Sequence, residues 1–179
     1  MGCSPVISRG VRSHLNDHVK ATRMSDETIT IVGFDPRYAK QFADLNYQWI
    51  SETYGIEQHD HDVLDHPVES IIEKGGEVFF ALVDGEAVGT VAMIPFEGDA
   101  FELTKMAVDP KFQGRGLGDK LMHTCIDMAR SSDRRRIILE SNTKQVAAIR
   151  LYRKFGFKEI PLDPNSQYVR ANIRMELTV

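Results

Sequence analysis

The chain has 179 residues, 42% of them hydrophobic and 27% charged, which is enough apolar content to bury one core and leaves little room for a second domain. A formal net charge of −4 speaks against nucleic acid as the main partner, which calls for a basic surface, and no apolar run approaches the roughly 20 residues that span a bilayer. Without such a run no membrane partner is expected, and the two cysteines, Cys3 and Cys125, form neither a disulfide framework nor a metal-ligand set, so a reducing cytoplasm is the expected setting.

Residues 1–23 carry Arg9, Arg12, Lys20 and Arg23 against one acid, Asp17, with no sustained apolar period. They read as a basic, disordered extension, either an organelle-targeting leader or the product of a start upstream of Met24. Val6 stands where a myristoylation signal needs Ser or Thr, so lipidation is rejected. Residues 24–179 read as a single domain without repeats. A β-branched strand is expected at 28–32, followed by a helix to about Ser51, with Asp35 as N-cap and Pro36 at the first helical position. Phe42, Leu45, Trp49 and Ile50 recur at helical spacing and are expected to pack on a sheet.

One or two short helices should follow in 59–74, the second opened by Pro67 and ended by Gly75 and Gly76. His59, Asp60, His61, Asp62 and His66 are metal-ligand types, yet their spacing matches no known site and the pattern suits capping and solvation, so no metal is expected. Strands at 77–83 and 87–94 are joined through Asp84-Gly85, a hairpin signal, and a third strand, 101–108, is stopped by Pro110. The order then changes to a helix at 117–130, a strand at 136–140 and a helix at about 144–155 ended by Gly156. Arg134, Arg135 and Arg136 read as a solvated turn, Cys125 as a small core residue, and strands near 157–160 and 168–177 close the chain. Strand, glycine turn, helix and strand in succession predict a parallel pair inside an otherwise antiparallel sheet, an α/β mixed architecture.

The segment Gln113-Gly114-Arg115-Gly116-Leu117-Gly118 lies between the third strand and the 117–130 helix. Glycines there leave backbone N–H groups unobstructed, and the helix dipole adds partial positive charge, so the turn suits a pyrophosphate. The chain has no Gly-x-x-x-x-Gly-Lys-Ser/Thr, and glycines at 114, 116 and 118 do not make a dinucleotide fingerprint, which leaves nicotinamide binding a distant option.

The spacing Gln-x-x-Gly-x-Gly, preceded by residues 102–110, resembles the coenzyme A loop of the GNAT superfamily of acyl-CoA-dependent N-acyltransferases. Residues 148–157, reading Ala-Ile-Arg-Leu-Tyr-Arg-Lys-Phe-Gly-Phe, are similar to that family's C-terminal element. The resemblance covers about 79–157 strongly and implies a GNAT-like fold, with a mostly antiparallel sheet, a central parallel pair splayed apart, and helices on its flanks. It implies acetyl-CoA as cosubstrate, its pantetheine arm held as an extra strand by the backbone of Met106, Ala107 and Val108, and its pyrophosphate held at Gln113, Gly114, Arg115, Gly116, Leu117, Gly118 and Asp119. Asn142 is a further cofactor-binding candidate, although it stands six residues before Ala148, whereas many members have this asparagine three before, where Gln145 lies here. Arg115 and Lys120 are read either as phosphate contacts or as ordinary surface charges.

Acetylating an alkyl amine of pKa about 10 at neutral pH needs a base or a proton-conducting water chain. The resemblance makes Glu102 the candidate base, against a purely positional or substrate-binding reading, with Glu140 in reserve. It makes Tyr152 the general acid or hydrogen-bond donor to the leaving thiolate, against a core-packing reading, and a strand amide such as that of Val108 the oxyanion donor. Glu52, Tyr54, His59 and the 166–172 segment are candidates to border the acceptor. The leading expectation is a small-molecule amine acceptor; a protein or peptide acceptor and a non-catalytic CoA-binding regulator are the alternatives. A homodimer through sheet edges or helices is a possible assembly.

Overall fold

A computed structural model describes residues 27–179, so the expected extension at 1–23 lies outside the described residues. Among the described residues, seven strands form one sheet: β1 (Ile29–Val32), β2 (Glu77–Val83), β3 (Glu86–Phe96), β4 (Ala100–Val108), β5 (Arg136–Ser141), β6 (Lys158–Ile160) and β7 (Ile173–Thr178), in the order β1-β2-β3-β4-β5-β7-β6. All neighbours are antiparallel except β4 and β5. Four helices flank it: α1 (Ala39–Thr53), α2 (Gln58–Leu64), α3 (Leu117–Arg130) and α4 (Val146–Lys154).

Strand alternation sorts the core into two layers. Ala81 and Val83 of β2 face one way with Leu103, Leu121, Met122, Ile149 and Met175, so α3 and α4 cover that face. Val78, Phe80 and Leu82 face the other with Phe42, Ile50, Val63 and Leu64, which places α1 and α2 there. Full burial of side chains such as Phe42 and Phe80, both at 0% exposure, is worth roughly 2–3 kcal/mol each. The β2–β3 turn forms as the Asp84-Gly85 signal predicts, with positive φ at both residues (50° and 87°), the geometry whose twist matches the strands it joins.

Several elements depart from the sequence-based expectations. The first helix begins as a 3-10 turn, Pro36–Tyr38, capped by the Asp35 side chain on the Arg37 N–H at 2.9 Å. Asn46 completes its buried stripe, donating to Phe42 O and accepting from Trp49 Nε1. The second helical segment after Pro67 is a single wide turn, Val68–Ile72. Arg134 is no solvated turn residue: its guanidinium donates to the carbonyls of Phe96, Gly98 and Ala100 and ties the β3–β4 hairpin to the start of β5. The last strand starts at Ile173 rather than 168, because the side chains of Tyr168 and Arg170 turn inward to partners on β4 and α2.

Candidate active site

The parallel pairing of β4 and β5 runs only from Ala100–Arg136 to Glu102–Ile138. Beyond it the strands diverge, and from Leu103 to Val108 β4 is paired with β3 alone, so one row of backbone groups is open to an extended amide-bearing ligand. At the far end of that gap, Gly114 and Gly116 have φ of 77° and 75°, and no atom lies within 4 Å of where a Cβ would sit. Lys120 N–H is bonded to Gly116 O at 3.1 Å, so the first-turn amides of Leu117, Gly118 and Asp119 have no acceptor within the helix. An open glycine turn at a helix start fits a diphosphate.

The neighbours of this turn are packed for it. Gln113 Nε2 donates to Val108 O at 3.1 Å. A Cβ on Gly118 would lie 3.3 Å from Leu151 Cδ2, so its absence lets α3 close on α4. Arg115 pairs with Glu27 at 2.7 Å and lies over the Phe112 ring, while Asp119 accepts from Lys154 at 2.7 Å. Those two side chains are thus engaged by the protein.

The gap widens into a cavity lined by residues of α1, β4, β5, α4 and the segment before β7, among them Met106, Asn142 and Tyr152. Tyr152 is 6% exposed, packs on Phe157 with ring centroids 5.8 Å apart, and burial pushes its phenol up to about 12. The hydroxyl therefore stays protonated at working pH, as a donor must. Met106 and Val108 pack against the α3 side of the core, and Ala107 between them is buried opposite Thr90 of β3. Asn142 donates to Arg170 O at 2.7 Å and accepts from the Lys144 N–H at 2.9 Å, so it holds two chain segments together at the cavity wall. Trp49 and Tyr54 also line the cavity; Trp49 is not simply packed on the sheet, and Glu52 is exposed.

Glu102 lies on the α1 face, two residues before the cavity-lining Thr104 and opposite Ile138. Its carboxyl is pushed up to about 7, chiefly by burial; Lys105 draws it down and Glu140 pushes it further up. Glu140, two residues past Ile138 on the same face, lines the cavity and accepts from Ser166 Oγ.

The part of the cavity lined by Lys105, Tyr168 and Arg170 belongs to a cluster that the sequence did not reveal. Asp60, fully buried, accepts from Lys105 Nζ at 2.6 Å and from both terminal nitrogens of Arg170 at 2.8 and 2.7 Å. These partners hold its carboxyl below the usual carboxylate range against the opposing effect of burial. Tyr168 lies beneath both cations, 4.9 Å from Lys105 and 5.3 Å from Arg170, with its hydroxyl 3.0 Å from Thr104 Oγ1 and His59 edge-on to its ring at 4.9 Å. Lys105 has a φ of 52° where β4 carries one residue more than β3 between Thr104 and Ala107, a bulge that re-aims its side chain. The adjacent polar residues Thr104 and Lys105 in an alternating strand were the available signal; Asp60 and Arg170, 110 positions apart, gave none.

A family model, the acetyltransferase (GNAT) family, matches residues 43–157, well over half of the chain. The chain belongs to the GNAT family. It is an acyltransferase. This GNAT enzyme is 24% identical over 139 residues to a candidate [ribosomal protein bS18]-alanine N-acetyltransferase of Bacillus subtilis, covering 76% of this chain and 82% of that protein. It is 30% identical over 104 residues to human N-acetylaspartate synthetase, covering 58% of this chain but only 34% of the synthetase. Among solved structures, a GNAT acetyltransferase from Staphylococcus aureus Mu50 superposes with a TM-score of 0.76 at 20% identity, over 84% of this chain and 99% of that one. The Salmonella typhimurium protein yncA, solved with acetyl-CoA, gives 0.68 at 22% identity over 84% and 93%. At such identities the structural likeness is one of fold. Among the described residues, no group of three or more His, Cys, Asp or Glu is gathered for a metal, and no helix is long and apolar enough to cross a membrane.

Proposed function

We propose that this enzyme moves an acetyl group from acetyl-CoA to the primary amine of a small molecule by direct attack in a ternary complex, within a single domain of residues 24–179 that works in the cytoplasm. The observation that carries this reading is the divergence of β4 from β5 after the Glu102–Ile138 pair, with an open glycine turn following β4 and a cavity at the divergence lined by Met106 and Tyr152. A relative of the same fold solved with acetyl-CoA supports the choice of cosubstrate.

In this reading the amides at 114–119 hold the diphosphate and the backbone of Met106, Ala107 and Val108 holds the pantetheine arm, with Asn142 keeping the opposite wall in place. The amine nitrogen attacks the thioester carbonyl carbon. A C–N bond forms, the C–S bond breaks, the amine proton passes to Glu102, directly or through water, the departing sulfur takes a proton from the Tyr152 hydroxyl, and solvent then returns a proton to the phenolate and removes the one on Glu102. Strand amides near Val108 stabilise the charge that develops on the carbonyl oxygen. A carboxyl near pH 7 is matched to this duty: it is ionised often enough to accept a proton and basic enough to want one.

The segment between β6 and β7 roofs the acceptor end through Tyr168 and Arg170, which suits a small amine better than a polypeptide passing through. The protein-acceptor reading rests on relatives named as alanine and N-alpha acetyltransferases. Titration calorimetry with acetyl-CoA, followed by thiol release against small amines and free N-terminal peptides, tests both. Acetyl-CoA binding with thiol release from small amines alone is the expected result; peptide-only turnover reverses the acceptor assignment.

A further inference from the structure

The charged cluster at the acceptor end is arranged in depth. Asp60 is fully buried behind it and does not line the cavity, whereas Lys105 and Arg170 do. Lys105, its side chain 2% exposed, makes one hydrogen bond among the described residues, to Asp60, although an ammonium carries more donors than one acceptor satisfies. Arg170 gives two N–H groups to Asp60 and has further donors on the same fork. Its second acidic neighbour, Glu57, stands at 3.5 Å. Asp60 and Glu57 match the two cations in number of charges, and both cations also lie over the Tyr168 ring. The donors that Asp60 does not take belong to side chains of the cavity wall, where an acceptor atom entering the cavity can meet them.

On the same face Glu140 lines the cavity, with Arg174 at 3.9 Å, and Glu102 lies two residues before the cavity-lining Thr104, so carboxyl groups border the path of an amine nitrogen. We infer that the acceptor is an amino acid: a primary amine whose own carboxylate docks on the spare donors of Lys105 and Arg170 while its nitrogen faces Glu102. Asp60 serves as the positioning residue behind those cations, pinning the β4 bulge and the 168–170 segment in one arrangement. This inference rests on the acetyl-transfer reading above and selects one acceptor class within it.

The test is thiol release by the full chain, saturated with acetyl-CoA, across a panel of amino acids, each paired with its carboxamide and its decarboxylated amine. The pairs keep the side chain and differ in the carboxylate, and the carboxamides carry the less basic amine, so nucleophile availability works against the expected result. Preferred amino acids should exceed their carboxamides by at least about tenfold in kcat/KM, since a site built for a group rejects analogues lacking it. R170M, which leaves Lys105 in place, should lower that ratio at least about threefold while the acetyl-CoA Kd, read by calorimetry, stays within about twofold of wild type, and an unchanged ratio in a folded R170M overturns the inference. The wild-type ratio alone decides the matter if R170M does not fold. Carboxamides or decarboxylated amines turned over as well as the acids overturn the inference and leave acetyl transfer standing. Failure of the wild-type chain to bind acetyl-CoA overturns the transfer reading, and the inference with it.

Discussion

Replacing Glu102 by Gln should make the protein more stable and less active, and the stability gain should depend on pH. Burial moves this carboxyl from 4.5 to about 7, a difference of about 3 kcal/mol between its charged and neutral forms, an upper value because the side chain retains some exposure. Below pH 4.5 the group is protonated folded and unfolded alike and contributes no penalty. As pH rises from there the unfolded chain ionises first, so each increment favours unfolding, and the full penalty is in place above about pH 7. Gln carries no such penalty. Urea unfolding of both proteins at pH 5 and pH 8 should therefore show E102Q gaining up to about 3 kcal/mol more at the higher pH, roughly 6–12 °C in Tm for a domain of this size. In parallel, kcat/KM of the wild type should rise with unit slope to a plateau near pH 7, and E102Q should lose that limb and roughly 100-fold in rate. An equal stability difference at both pH values, or an unchanged rate profile in E102Q, refutes the assignment of this carboxyl as a strained, functional base.

Three further outcomes are expected. Y152F should lower kcat by about 10- to 100-fold while calorimetry finds acetyl-CoA affinity nearly unchanged, and because the phenol sits at about 12, the wild-type rate should show no alkaline limb from this group up to about pH 10; a large loss of affinity would instead mark Tyr152 as a packing residue. G116A places a Cβ at φ 75°, so it should cost about 1 kcal/mol in urea unfolding and, with its new methyl group in the space before the helix amides, weaken acetyl-CoA binding by about tenfold. D60N leaves Lys105 and Arg170 without their shared buried partner and should cost about 3–5 kcal/mol, read as a fall in urea midpoint with an unchanged m-value; a loss below about 1 kcal/mol would mean that water already satisfies the cluster.

The cosubstrate side of this molecule was legible because its signals are local. The helix at Leu117–Arg130 begins and ends where the glycines and the apolar period place it, Asp84-Gly85 makes its turn, and the crossover rule places β4 beside β5 in parallel. The glycine turn itself lies within six consecutive residues, so backbone chemistry could be read directly from the letters. Residues such as Phe42 and Phe80 follow periodicity for the same reason.

The acceptor side obeys a different logic. Asp60 lies in a run of His and Asp that resembles a solvated helix start, and it does cap one, accepting from the Glu57 N–H at 3.0 Å. Yet the same carboxylate is fully buried, because Lys105 and Arg170 reach it from 45 and 110 positions away. No local pattern encodes such a meeting: it requires the bulge that re-aims Lys105 and a terminal strand that starts five residues late so that Tyr168 and Arg170 fall inward. Both departures from regular strand geometry lie at this wall, and both are held by the same buried carboxylate. A fold that accepted a positive φ at a lysine and a shortened strand merely for stability would do better with an apolar wall, since buried ion clusters are seldom the most stabilising filling. What the cluster adds over an apolar wall is a pair of cations on the cavity lining, held in one arrangement by Asp60, and the proposed docking of a carboxylate there would give that arrangement a use in recognition.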